Sequence, residues 1–231
     1  QVRRPEPCAN HIEGQLAGVL RVVERTLLLE DYLGPPRWSR GALDQARGIR
    51  SEVPEGQRVL ALHGDTGADK MLPDRAWREV LEALCAEDPE LTVLLVGKRP
   101  LPLDVGPWEA QVVPCYGLPL EVSMALVGLV DGFMGVDSSP LHAADFQGVP
   151  SVGVFVSTDP HEFGCICAPH EHVLARDASD AGLPGKIVEA VGRLLGPGGP
   201  RGASKARSFQ ARAFQARALK GRSLKGLGAG Q

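Results

Sequence analysis

Three short segments hold residues whose types and spacing suit the handling of an anion. The first is His63-Gly-Asp65-Thr66-Gly-Ala-Asp-Lys70-Met-Leu-Pro73. A glycine-bearing turn lets backbone N–H groups approach an anion. Thr66 adds a hydroxyl donor and Lys70 an ammonium for phosphate oxygens. Taken alone, the segment reads first as a surface turn with a solvated lysine. The second is Gly135-Val-Asp137-Ser138-Ser139-Pro140-Leu-His142-Ala-Ala. Ser138 or Ser139 suits a helix cap and Pro140 the first helical position. The free N–H groups of such a helix start suit a diphosphate. Asp137 would repel a diphosphate that it faced, so its expected role is to orient the loop through backbone N–H groups or to hold a sugar hydroxyl. The alternative is that Asp137 and the serines only cap the helix, with His142 packed on the sheet. The third is Phe155-Val-Ser-Thr158-Asp159-Pro160, ordinary turn chemistry whose interest lies in its position beside the other two.

A metal site competes as a reading. His161, Cys165, Cys167, His170 and His172 place five borderline or soft ligands within twelve positions. Zinc accepts such ligands, but these spacings match no common structural zinc pattern. Loop residues near a pocket mouth are the simpler reading, and neither a metal nor an organic cofactor is expected. Cys8, Cys85 and Cys115 read as small core or surface thiols.

Elements must carry these segments to one place. Residues 58–63 read as a strand running into the first segment, followed by a helix over 73–86 with Trp77, Val80, Leu81 and Leu84 on one face. Residues 91–96 form a near-continuous apolar run, interrupted only by Thr92, as expected of a strand buried on both faces. Shorter strands are expected at 111–115, 133–136, 151–156 and 172–175. Helices are expected at 120–130, 140–147 and 183–195, the last stopped by Gly196-Pro197. This alternation predicts an α/β fold, a parallel sheet with helices on both faces. Ligands of such sheets bind beyond the carboxyl ends of the strands, where all three segments lie. Upstream, residues 12–33 repeat apolar positions at helical spacing, and 37–57 read as a polar connection with a short helix at 43–49.

An apolar share of 43% and a charged share of 23% are those of an ordinary globular domain. No apolar run approaches the ~20 residues of a membrane span. The polar start lacks a signal-peptide core, and the odd count of five cysteines favours a reduced cytosolic compartment. The net charge of −3 conceals an asymmetry: residues 201–231 carry eight Lys/Arg and no Asp/Glu, so the preceding 200 residues carry 17 basic against 28 acidic ones. An acidic body argues against a nucleic-acid-binding domain but not against a nucleotide pocket, where a few positioned cations suffice. Residues 199–231, built on a degenerate five-residue repeat, are expected to be a disordered basic tail, with weak attraction to an anionic membrane surface as its one conceivable partner.

Taken together, the three segments resemble glycosyltransferase family 9, the ADP-heptose:lipopolysaccharide heptosyltransferases. The resemblance runs from about residue 11 to residue 175 with order and spacing maintained. It implies a Rossmann-like sheet equivalent to the C-terminal half of a GT-B glycosyltransferase. Residues 58–198 would be the nucleotide-sugar (donor) domain, and residues 1–57 the helix and connector ending an N-terminal domain that does not precede Gln1. By resemblance Thr66 and Lys70 hold the donor diphosphate. Asp137, Ser138, Ser139 and His142 match the Asp-Ser/Thr-Gly-x-x-His signature, and Thr158-Asp159-Pro160 the Thr-Asp-Pro turn. Asp65 and Leu118 are further donor contacts, Leu118 standing near the adenine-packing position. The implied reaction is an inverting transfer from an ADP-sugar to a saccharide or lipopolysaccharide-core acceptor, on the cytoplasmic side. Its catalytic base is expected in the missing domain. Three departures bear on specificity: Ser139 replaces the usual glycine, Val156-Ser157 stands where Gly-Pro is usual, and Lys98-Arg99 occupies the stretch where an acid grips the ribose. The alternative is an inactive nucleotide- or protein-binding module derived from that half.

Overall fold

A computed structural model describes residues 36–175 and 177–196. The expected helix at 12–33, Cys8, and the basic tail lie outside the described residues. Inside them the elements run α1 (Arg40–Ser51), β1 (Arg58–His63), α2 (Asp74–Glu87), β2 (Leu91–Gly97), β3 (Val112–Tyr116), α3 (Leu120–Val127), β4 (Gly132–Val136), α4 (Ser139–Phe146), β5 (Ser151–Phe155), α5 (Pro160–Phe163), β6 (His170–Leu174) and α6 (Leu183–Leu195). One 3₁₀ turn, Gly106–Trp108, precedes β3.

The six strands form one sheet in the order β3-β2-β1-β4-β5-β6, with every pairing parallel. Alternation along each strand sorts its side chains into two cores. Leu60, Leu62, Val93, Leu95, Met134 and Val136 face α2 and α6, where Trp77, Leu81, Ile187 and Leu194 meet them. Ala61, Leu94, Val96, Phe133 and Phe155 face α1, α3 and α4. The fold is therefore the Rossmann-like α/β sandwich expected from the alternation. Strand order reverses between β1 and β4, and in such sheets ligands bind beyond the carboxyl ends at that point.

Local differences have local causes. The helix expected over 120–130 stops at Val127, because Gly128 closes its end with its own N–H and packs against the Gln147 side chain, where a Cβ has no room. The expected short helix at 43–49 runs from Arg40 to Ser51, with the Ser39 side chain accepting the Ala42 N–H at its start. Pro114 stands in β3, at an edge of the sheet, where a missing N–H leaves fewer ladder bonds unmade. The last strand begins at His170, two residues earlier than expected.

Candidate functional site at the carboxyl edge of the sheet

The loop after β1 and the loop after β4 meet at the topological reversal. Lys70 Nζ lies 2.7 Å from Asp137 Oδ2, with Lys70 28% and Asp137 5% exposed. The Thr66 hydroxyl donates to the Asp137 carbonyl oxygen at 3.3 Å. From the turn after β5, the Thr158 hydroxyl donates to the same Asp137 Oδ2 at 2.7 Å. His142 Nε2, on α4, stands 3.5 Å from Oδ1, near enough to bias the carboxylate but too long for a full hydrogen bond. Thr66, Lys70, Asp137, His142 and Thr158 are thus gathered from three strand ends into one cluster.

The electrostatics follow from burial and partners. Burial opposes ionisation of Asp137. The His142 and Lys70 contacts, the Thr158 hydroxyl and the Lys70 charge outweigh it and hold its carboxyl far below the ordinary range. Asp137 is therefore an anion already compensated by Lys70. Its carboxylate is gripped by side chains, and the expectation that it would orient the loop through backbone N–H groups gives way to this pair.

The remaining expected residues fall into local roles. Ser138 occupies the cap position of α4, but its hydroxyl donates back to the Val136 carbonyl oxygen at 2.9 Å and makes no cap hydrogen bond. Ser139 opens the helix, and Pro140 follows at its second position. Asp159 accepts the His161 N–H at 2.8 Å, capping α5. Asp65 takes the Arg99 Nε at 2.8 Å and the Arg99 backbone N–H at 3.0 Å. Burial opposes ionisation of Asp65, and the Arg99 contacts overcome it. Leu118 is half-buried and packs against the core under α1, α3 and α4. Cys85 and Cys115 are buried core thiols.

Several positioning residues escaped sequence reasoning. His63, buried at the end of β1, sets its Nδ1 2.9 Å from the Val96 carbonyl oxygen, and burial favours its neutral form. Ser157 donates to Asp69 at 3.0 Å, joining the β5 loop to the β1 loop. Asp145 on α4 accepts three backbone N–H groups, from Ile166 at 2.9 Å and from Cys167 and Ala168 at 2.9 and 2.8 Å. The one sequence signal for Asp145 was a carboxylate on the apolar side of a short helix.

That loop contains the five residues of the metal alternative. His172 Nε2 accepts the Cys165 N–H at 3.0 Å, and the His170 and His172 rings stack with centroids 4.6 Å apart. His170 Nδ1 lies 2.8 Å from the Ala168 carbonyl oxygen. Burial pushes the Cys167 thiol up to about 12 and the Cys165 thiol higher still, so both remain protonated. Among the described residues no three His, Cys, Asp or Glu side chains are arranged to hold a metal ion. Among the same residues no helix is long and apolar enough to cross a membrane.

Burial, with His170 beside it, pulls the His172 pKa down to about 4. The unfolded chain takes up this proton near pH 6.5, whereas the fold resists it until about pH 4. His172 therefore contributes its full share of stability above pH 6.5, and that share is lost as the pH falls toward 4. Thermal melts at pH 7.5, 6 and 5 should show a decline of a few degrees that His172→Gln reduces. An equal decline in both proteins would remove His172 from this role.

Comparison with known proteins agrees with the fold. The profile of glycosyltransferase family 9 (heptosyltransferase) matches residues 11–181. No curated protein sequence gives a significant match. Solved structures with the same fold include a family 9 glycosyl transferase from Veillonella parvula, 15% identical, with a TM-score of 0.67 over 82% of this chain and 61% of that one. The ADP-heptose LPS heptosyltransferase II of E. coli is 16% identical, with a TM-score of 0.57 over 70% of this chain and 53% of its own. E. coli heptosyltransferase WaaC, solved with ADP, is 20% identical, with a TM-score of 0.52 over 62% of this chain and 47% of its own. The chain thus spans about half to three fifths of the length of these structures. At such identities the structural likeness speaks for the fold, and the profile, covering most of the sequence, speaks for the family: the chain belongs to glycosyltransferase family 9.

Proposed function

We propose that the carboxyl edge between β1 and β4 is the donor site of an ADP-sugar-dependent transferase of the heptosyltransferase type. The observation that carries this reading is the convergence of Lys70, Thr66 and the start of α4 at the reversal of strand order. Lys70 and Thr66 would take the diphosphate oxygens, with the first turn of α4 presenting its dipole to the same charge. Because Asp137 is neutralised by Lys70, a diphosphate approaching this edge meets a far weaker repulsion than the sequence implied. Asp137 and Thr158, hydrogen-bonded to each other, would lie on the side of the donor sugar, where their remaining accepting capacity can meet a hydroxyl.

In this reading the reaction is an inverting displacement in the cytoplasm. An acceptor hydroxyl of a saccharide or lipopolysaccharide-core glycolipid, deprotonated by a carboxylate outside the donor half, attacks the anomeric carbon. The leaving ADP is stabilised by Lys70, Thr66 and the helix start. Lys98-Arg99 occupies the stretch where the family's ribose-gripping acid is expected, with Arg99 paired to Asp65, so this reading gives the ribose no equivalent grip and ADP a modest affinity.

Titration calorimetry with ADP tests the site. Lys70→Ala should weaken binding by about 1.5–3 kcal/mol, the range for a hydrogen bond to a charged group, and the loss should shrink as salt rises. Equal affinities, or no heat with either protein, would sink the donor-site assignment. An inactive module derived from the donor half would give the same binding result without transfer. ADP-heptose turnover by any assembly containing the chain, abolished by Lys70→Ala, distinguishes the two.

A further inference from the structure

The donor-site reading leaves a charge unaccounted for. Asp137 is 5% exposed, and Lys70 is the full cation that compensates it. If a diphosphate draws the Lys70 ammonium toward itself, the carboxylate loses its partner in a place that water hardly reaches, which is strongly unfavourable. Oδ2 would keep only the Thr158 hydroxyl. Oδ1 has spare accepting capacity, and the His142 imidazole is already parked 3.5 Å from it. His142 is 29% exposed, so a proton from solvent can reach it.

We infer that Asp137 carries two alternative cationic partners, Lys70 when the site is empty and a protonated His142 when a nucleoside diphosphate occupies it. Ligand binding then takes up a proton from solvent onto His142, converting the 3.5 Å approach into a charged hydrogen bond. The groups around His142 leave it this role. Asp137 faces it from the end of β4, with Lys70 behind that carboxylate from the β1 loop. The β5 turn offers the neutral Thr158 hydroxyl, and on α4 itself Asp145 is turned to the loop at 166–168. This inference rests on the donor-site reading above.

Calorimetry of the full chain with ADP at pH 8, in two buffers of different ionisation enthalpy, tests it. An ordinary histidine is almost wholly neutral at that pH, so uptake has room to appear. The wild type should take up from a few tenths of a proton to about one per ADP at pH 8, and its affinity should fall from pH 8 to 9 in proportion, from under about twofold at the low end to nearly tenfold at the high end. His142→Gln should bind ADP with no uptake and a flat pH profile. Binding heats that are equal in both buffers for the wild type overturn the inference while leaving the donor site standing. Uptake retained in His142→Gln places the proton on the phosphate and also overturns it. Should that variant fail to bind, nitrogen NMR of His142 in the ADP-saturated wild type decides: a charged imidazole at pH 8 supports the exchange, and a neutral one overturns it. Absence of ADP binding by the wild type overturns the exchange together with the donor site.

Discussion

Asp145→Ala should cost about 3–5 kcal/mol of stability, because it removes three hydrogen bonds to a charged acceptor and strands buried donors. Asp145 is 2% exposed, and it accepts the Ile166, Cys167 and Ala168 N–H groups. Ala168 is itself buried, so water reaches its N–H poorly once the carboxylate is gone. Those three donors belong to the stretch joining α5 to β6, while Asp145 belongs to α4, the helix that starts at the candidate site. One side chain thus fastens the loop below Thr158 to the helix above Asp137. Urea unfolding followed by circular dichroism measures the loss. Asp145→Asn, which keeps one acceptor oxygen, should fall between the wild type and alanine. A change below about 1 kcal/mol on Asp145→Ala would mean that the loop is held by other contacts, such as the Cys165 N–H to His172 bond.

Gly135→Ala should be nearly as damaging and should damage binding too. Gly135 pairs with His63 across the β4–β1 junction. An added Cβ would lie 2.5 Å from the His63 carbonyl oxygen, a backbone atom that cannot rotate away. Strand β4 must then move off β1, at an overpacking cost of about 3 kcal/mol. The same displacement separates the loop holding Lys70 from Asp137, which now meet at 2.7 Å. ADP affinity should fall at least about tenfold, since misplacing such a constellation by a fraction of its contact distance is expensive. Gly153→Ala is the control. Its Cβ would meet the ends of the Phe155 and Leu141 side chains, at 2.8 and 3.0 Å, rather than backbone, so small side-chain shifts can relieve it and it should cost less. A Gly135→Ala protein with wild-type melting and wild-type ADP affinity would show that the two strands tolerate separation and that the site does not depend on their spacing.

Much of the architecture was written locally. The near-continuous apolar run at 91–96, broken only by Thr92, read as a strand covered on both faces, and it is β2, buried along almost its whole length. The 3.6-residue spacing of Trp77, Val80, Leu81 and Leu84 marked the buried face of α2, and all four are buried there. Such patterns survive in one dimension because each face of a helix or strand meets a single environment. For the same reason the three chemistry-bearing segments were legible as strand ends, and the strand ends did come together.

What tertiary structure alone decided is who partners whom. Lys70 and Asp137 stand 67 residues apart in the chain, and nothing in either neighbourhood specifies their ion pair. It arises because β1 and β4 are neighbours at the point where the strand order reverses. Asp65 found Arg99 because β1 and β2 are adjacent, a brace between loops that neither segment announces on its own. The five borderline or soft ligands between His161 and His172 left a metal site open as a competing reading in the sequence, beside the simpler one of loop residues. In the fold, Asp145 and His172 claim the loop's backbone N–H groups, and among the described residues no three such side chains are grouped to hold a metal ion. Periodicity records which face of an element is buried. Electrostatic partnership depends on strand order and register, which are properties of the assembled sheet and leave no periodic trace in the chain.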